Sequence, residues 1–151
     1  MTAIAYRGGI MAADSAVRSS GTLLGTVKKI VRSPDGALGA SSGCAYMGGA
    51  FDDWMRGNRK GPLELKGDTE KFSALVVLPD GTVVKYDSNG YPDRTSNEFH
   101  VGGSGWELML GAMEMGATAE RAVAVAIKYD GHCGGPIQVE HLHPALAEAA
   151  E

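Results

Sequence analysis

Apolar and polar positions in the first third of the chain follow the two-residue repeat of β-strands. Residues 2–6 are extended in character, Arg7-Gly8-Gly9 reads as a turn, and 10–14 return as a second strand. Ser20, Gly21 and Gly25 mark a loop before the strand 27–32. Alternation there sends Val27, Lys29 and Val31 to one face and Lys28, Ile30 and Arg32 to the other. A Pro34-Asp35-Gly36 turn leads into a fourth strand that ends in the glycine-rich stretch 39–43. Spacing then becomes helical over 46–57, with Phe51, Trp54 and Met55 as the apolar side, and 58–69 reads as loop.

The second half repeats the alternation of strand and helix patterns. Two runs at 72–78 and 82–86 flank Pro79-Asp80-Gly81, a hairpin signal, and 88–97 is a polar loop. Residues 99–101 enter the core ahead of a Gly102-Gly103-Ser104-Gly105 run. Helical spacing covers 106–115 and stops at Gly116. Thr118 is placed to cap another helix through Lys128, with Ala122, Val123 and Ile127 inward. Residues 136–142 close the pattern as a strand. Two stacked sheets with helices outside account for this order, and there is no internal repeat.

Three polar residues interrupt the apolar pattern. Lys29 shares a predicted face with two valines, and Asp14 ends the run Ile-Met-Ala-Ala. A buried lysine and a buried aspartate each need a partner, and each can satisfy the other. Thr2 becomes the N-terminus if Met1 is removed, which places a hydroxyl nucleophile and a basic α-amine on one residue. Such an amine has a pKa near ~7.7–8.0, so a useful fraction is neutral at neutral pH. The β-methyl of threonine restricts χ1 and favours one attack geometry.

Composition narrows the class without deciding it. A chain of 151 residues makes one domain, expected over 1–143 with a tail at 144–151. The longest apolar runs, such as 122–127, are too short to cross a membrane, and the start lacks a signal-peptide pattern. Cys44 and Cys133 suit a reducing compartment, so a cytoplasmic location is expected. A net charge of −4 gives no reason to expect nucleic acid, and Arg56, Arg59 and Lys60 read as a solvated loop. The 102–105 run suggests a phosphate cradle, but no Gly-Lys-Ser/Thr follows. His132, Cys133, His141 and His143 lack zinc-site spacing. No cofactor and no metal are expected.

Five blocks in order give a resemblance: Thr2, Met-Ala-Ala-Asp-Ser at 11–15, Val-Lys-Lys-Ile at 27–30, Gly103-Ser104-Gly105, and Tyr129-Asp130-Gly-His-Cys133-Gly134-Gly135. Together they resemble proteasome β-type subunits and the related HslV-type peptidase, from residue 2 to roughly residue 142. The resemblance implies an α+β, four-layer αββα sandwich of two antiparallel sheets, the N-terminal-nucleophile (Ntn) hydrolase fold. It further implies Thr2 as nucleophile, Lys29 as its electrostatic neighbour, and Asp14 as the group that fixes Lys29. Ser104 and Asp130 would orient the amine and shuttle a proton, and the backbone N–H of Gly43 would face the oxyanion. A homo-oligomeric ring, a peptide or unfolded-protein substrate and an ATP-dependent unfoldase partner come with the same resemblance.

The chain departs from that pattern at Ala16, where the family usually has arginine, and at Cys133, where serine is usual. One short helix over 46–57 also stands where the family places two long ones. Simpler roles fit the same residues. Thr2 can be an ordinary strand residue, the Lys29 stem can lie over the sheet, and Asp14 can be a turn carboxylate. Ser104 can cap the 106–115 helix, Asp130 can terminate the next, and Cys133 can be a small buried residue. The two other functional readings are a non-proteolytic amidase of the same fold and a catalytically inactive ring-forming structural protein.

Overall fold

The computed structural model describes residues 1–43, 45–66 and 71–146. Cys44, the end of the 58–69 loop and positions 147–151 of the tail lie outside the described residues. In chain order the elements are β1 (Ala3–Arg7), β2 (Ile10–Ala13), β3 (Ala16–Ser19), β4 (Thr22–Thr26), β5 (Val31–Arg32), β6 (Leu38–Ser42) and α1 (Ala45–Arg56). They continue with β7 (Ser73–Val77), β8 (Val83–Tyr86), β9 (Pro92–Asp93), β10 (Phe99–Gly103), α2 (Trp106–Glu114), α3 (Ala119–Tyr129) and β11 (Gln138–His141).

Two antiparallel sheets form the centre. One runs β10-β1-β2-β11 and the other β5-β6-β7-β8-β9. Strand parity decides what each face meets. In β1, Ile4 and Tyr6 point between the sheets, towards Leu38, Ala40, Leu75 and Val77. Ala3 and Ala5 point the other way, with Ala12, onto Met109, Met113, Ala122 and Val123 of the α2–α3 layer. Alanines on that face let the helices approach closely. On the outer side of the second sheet, Ala74 and Val76 meet Met47, Phe51 and Met55 of α1. Gly39 lies beneath α1, where an added Cβ would come within 2.8 Å of Met55 Cε and 2.9 Å of Phe51 Cζ. The result is the expected α+β sandwich, helices–sheet–sheet–helix. Among the described residues, the helical side over the second sheet is α1 alone.

Local rules explain most boundaries. The Thr118 hydroxyl accepts a hydrogen bond from the Arg121 N–H at 3.2 Å and caps α3. The inner stripe of α3 is Ala119, Ala122, Val123 and Ala126, all buried, with Ile127 at its edge.

Three expectations need correction. The stretch marked by Ser20, Gly21 and Gly25 is not simply a loop: Thr22–Thr26 is strand β4, paired with β3 in a hairpin. Ser20 and Gly21 both take positive φ, 47° and 83°, in a two-residue connection whose twist suits paired strands. Residues 27–30 are not strand. Only Val31–Arg32 pairs with β6, and Val27 is exposed while Ile30 is buried in the core, so Lys29 does not share a buried valine face. Finally, β9 interrupts the polar loop at 88–97 by pairing with β8.

Gly103 is where the sheets meet the start of β1. Its φ is +76°, and an added Cβ would lie 1.8 Å from the Thr2 carbonyl oxygen and 2.9 Å from Ser42 Cβ. Gly102 has nothing within 4 Å of that position. Gly103→Ala is therefore expected to destabilise the protein by more than about 2 kcal/mol, against less than about 1 kcal/mol for Gly102→Ala. Urea denaturation of the pair checks this, and equal effects would contradict it.

Candidate active site

Asp14 follows directly on β2 and is fully buried. Its carboxylate is satisfied by three donors: Ala3 N–H and Lys29 Nζ on Oδ1, each at 3.0 Å, and Gly134 N–H on Oδ2 at 3.1 Å. The Lys29 side chain is only 8% exposed, so its head is not in water. Beyond Asp14, its ammonium donates to the carbonyl of Met1 at 3.0 Å.

Lys29 is placed by a side chain rather than by a strand. Gln138 on β11 accepts from Lys29 N–H at 2.8 Å and Ile30 N–H at 3.4 Å. Its amide nitrogen donates to the carbonyls of Val27 at 2.6 Å and Asp14 at 3.3 Å. One glutamine thus replaces the missing ladder of residues 27–30 and joins both members of the ion pair. Sequence reasoning missed it, since a polar residue in a half-buried strand carries no periodic signal.

Thr2 sits just outside β1 and is buried. Its carbonyl accepts from Ser104 N–H at 2.8 Å, and its own N–H donates to Ser42 Oγ at 3.0 Å. Ser104 does not cap α2. The N-cap is Gly105, in left-handed conformation and without a side-chain cap bond. The Ser104 hydroxyl instead donates to Asp130 Oδ2 at 2.8 Å. Asp130 does end α3, its N–H bonded to Ala126 O, and its Oδ1 accepts from His132 N–H at 2.8 Å. Burial pushes the Asp130 carboxyl up, but the hydrogen bonds from His132 and Ser104 outweigh it and hold the group below the usual range. Cys133 is buried, with its sulfur 3.7 Å from Ser104 O. Burial, and then the Asp14 and Asp130 carboxylates, push its thiol up to about 11.

Beside these groups lies a cleft of about 540 Å³ lined by Thr2, Lys29, Gly43, Gly48, Gly49 and Asp52, among others. Gly43 has φ +147°, and a Cβ there would press to 3.3 Å from Phe72 Cα. The Asp52 carboxyl is pushed up by burial, with the Arg56 charge opposing. The structure thus brings Thr2, Lys29 and Gly43 to one cleft and ties Asp14 behind Lys29. Ser104 touches Thr2 only through its backbone N–H, and Asp130 bonds Ser104. Among the described residues no group of three His, Cys, Asp or Glu is placed to hold a metal ion. The glycine-rich 102–105 run closes on Thr2 and is no empty cradle. No described helix is long and apolar enough to cross a membrane.

The architecture is a proteasome-like fold. It is similar to the solved structure of Thiobacillus denitrificans BPH in complex with epoxomicin. The TM-score is 0.68 and the identity 21%, over 95% of this chain and 99% of that one. No protein-family model matches the chain, and no curated protein matches it in sequence.

Two expectations follow from this geometry. Asp14→Asn leaves the Lys29 ammonium buried without a counter-charge and is expected to cost about 3 kcal/mol or more. Lys29→Met should cost a similar amount, and the double variant less than the sum of the two, as urea denaturation in a double-mutant cycle would show. Asp130 stabilises the fold above the unfolded carboxylate value of roughly 3.9, and that contribution is lost as pH falls through its lower folded value. Ser104→Ala should therefore destabilise more at about pH 7 than near pH 2, which urea midpoints at the two pH values test.

Proposed function

We propose that this chain is a threonine-type N-terminal-nucleophile peptidase that acts through Thr2 after Met1 is removed. The observation that carries the reading is the buried Lys29 ammonium. It is anchored on Asp14, and its other hydrogen bond ends on the carbonyl attached to the Thr2 nitrogen. Loss of Met1 takes that carbonyl away. It frees an ammonium donor and creates an α-amine in the same buried place.

The chemistry then runs through Thr2. The neutral amine takes the proton of Oγ1, and the oxygen attacks the peptide carbonyl. Lys29 favours the developing alkoxide, and the Gly43 N–H receives the oxyanion. Collapse breaks the C–N bond, the α-ammonium returns its proton to the leaving amine, and an ester on Thr2 remains. Water, deprotonated by the same amine, releases the acid. Ser104 fixes the Thr2 carbonyl, and Asp130 holds Ser104.

The substrate in this reading is a peptide or unfolded protein, delivered by an ATP-dependent unfoldase to a homo-oligomeric ring in the cytoplasm. The exposed Leu23, Leu24, Trp106 and Met115 support an assembled state. One observation favours the inactive, ring-forming reading: with Met1 in place its carbonyl holds the Lys29 hydrogen bond that the proposed chemistry needs free.

Intact mass decides first, because full retention of Met1 in native protein would overturn the peptidase. Protein that begins at Thr2 is expected to form a covalent adduct with epoxomicin, the compound bound by the Thiobacillus protein. An adduct that survives Thr2→Ala would refute the assignment. Lys29→Ala should lower peptide turnover by about 100-fold or more with assembly unchanged.

A further inference from the structure

The nitrogen of Thr2 has a partner that the resemblance did not supply. Ser104 reaches the Thr2 carbonyl with its backbone and spends its hydroxyl on Asp130. The group on the Thr2 nitrogen is Ser42 Oγ, at 3.0 Å, from the other sheet. Ser42 is buried and ends β6, four residues after Leu38 and two after Ala40, which both point between the sheets. The two-residue repeat sends Ser42 the same way. Its Cβ lies where a Gly103 side chain would begin, at 2.9 Å, so the absence of a side chain at 103 makes room for it.

The rest of the Thr2 backbone is held on both sides. Its carbonyl is bonded to Ser104 N–H, and the next N–H, of Ala3, is bonded to Asp14 Oδ1. Both anchors hold the peptide unit that follows Thr2, so once Met1 is gone the nitrogen can still swing about the Thr2 Cα–C bond, and the Ser42 hydrogen bond is what opposes that swing. We propose that Ser42 is the positioning residue of the Thr2 α-amine: its hydroxyl oxygen accepts one amine N–H across the sheets and limits where the lone pair can point. The inference rests on the reading of Thr2 as nucleophile.

The proposal has a chemical consequence with a definite sign. A neutral amine has two N–H groups and one lone pair, and only the lone pair can take the Oγ1 proton. Of the three staggered orientations two waste the base, and holding one N–H removes one of those two and steadies the rest of the amine. An accepted hydrogen bond also favours the ammonium over the neutral amine. Removing the Ser42 oxygen should therefore lower the pH at which the amine titrates. It should also slow the reaction at pH values where the amine is already neutral. Loss of packing alone would not move the titration in this way.

The test uses protein shown by mass to begin at Thr2, as the parent chain, Ser42→Ala and Ser42→Thr. The amine is titrated by nitrogen NMR, and capture of epoxomicin is followed against pH. Ser42→Ala is expected to titrate at lower pH and to capture about tenfold more slowly on the high-pH plateau. Ser42→Thr, which keeps the oxygen, should match the parent in titration and stay within about threefold in rate. Unchanged titration and rate in Ser42→Ala would overturn the proposal, as would equal impairment in both variants. If the parent captures no probe at all, the nucleophile reading falls, and the NMR titration still decides whether Ser42 holds the amine.

Discussion

The site depends on one buried ion pair. Asp14 and Lys29 have both left water, and desolvation of two such charges costs several kcal/mol per ion unless every lone pair and proton finds a partner. Here they do. The carboxylate takes two backbone N–H groups and the ammonium, and the ammonium takes a carboxylate and a carbonyl. Those partners come from the start of β1, the segment after α3 and the stretch ahead of β5, so the pair pins three distant parts of the chain together. Apolar residues of the same volume could fill this space at no loss of stability. What they could not do is hold a cation next to Thr2. The pair is better explained by that charge than by the fold's stability.

The fold supplies the second constraint, which is closeness. Two sheets normally pack about 10 Å apart, with side chains between them. At the end where β1 starts and β6 and β10 stop, small groups bring the sheets together: Ser42, the Thr2 backbone and Gly103. An atom at the Gly103 Cβ position would overlap the Thr2 carbonyl oxygen. The glycine-rich run therefore reads as a packing device for the N-terminus. Its ligand is the chain itself.

Much of this was legible in the sequence. Most strands and helices followed from their apolar runs and the turn signals between them, although β1 and β7 are buried on both faces. Lys29 and Asp14 stood out because charges amid alanines and valines need partners. The route to Lys29 was misread, however, because alternation implied a strand where Gln138 does the work of a ladder from 109 residues away. The β3–β4 hairpin was invisible for a related reason: Leu23 and Leu24 are both exposed, so no alternation marks a buried face. Ser104 looked like a cap because element bounds read from a sequence are loose by a residue or two, but the cap position falls on Gly105. Only the position of Asp130 in three dimensions reveals the other bond. Ser42 was half legible, since the repeat that turns Leu38 and Ala40 inward turns it inward too, but its partner is 40 residues earlier.

The same charges also sort the nucleophiles. Cys133 lies near Thr2 through Ser104, and a thiolate is intrinsically the stronger nucleophile. Yet burial and the carboxylates of Asp14 and Asp130 push that thiol up to about 11, so about one molecule in ten thousand carries the thiolate at neutral pH. Thr2 meets the opposite field. In the proposed chemistry its base is an amine of which roughly a tenth is neutral near pH 7 at the ordinary α-amine value, and the nearby charge is the Lys29 ammonium. An anion is thus disfavoured at the sulfur and favoured at the threonine oxygen by the two ends of one ion pair. Burial first, and the two carboxylates after it, keep Cys133 protonated. A substitution that removed Asp14 would weaken that protection and the placement of Lys29 together.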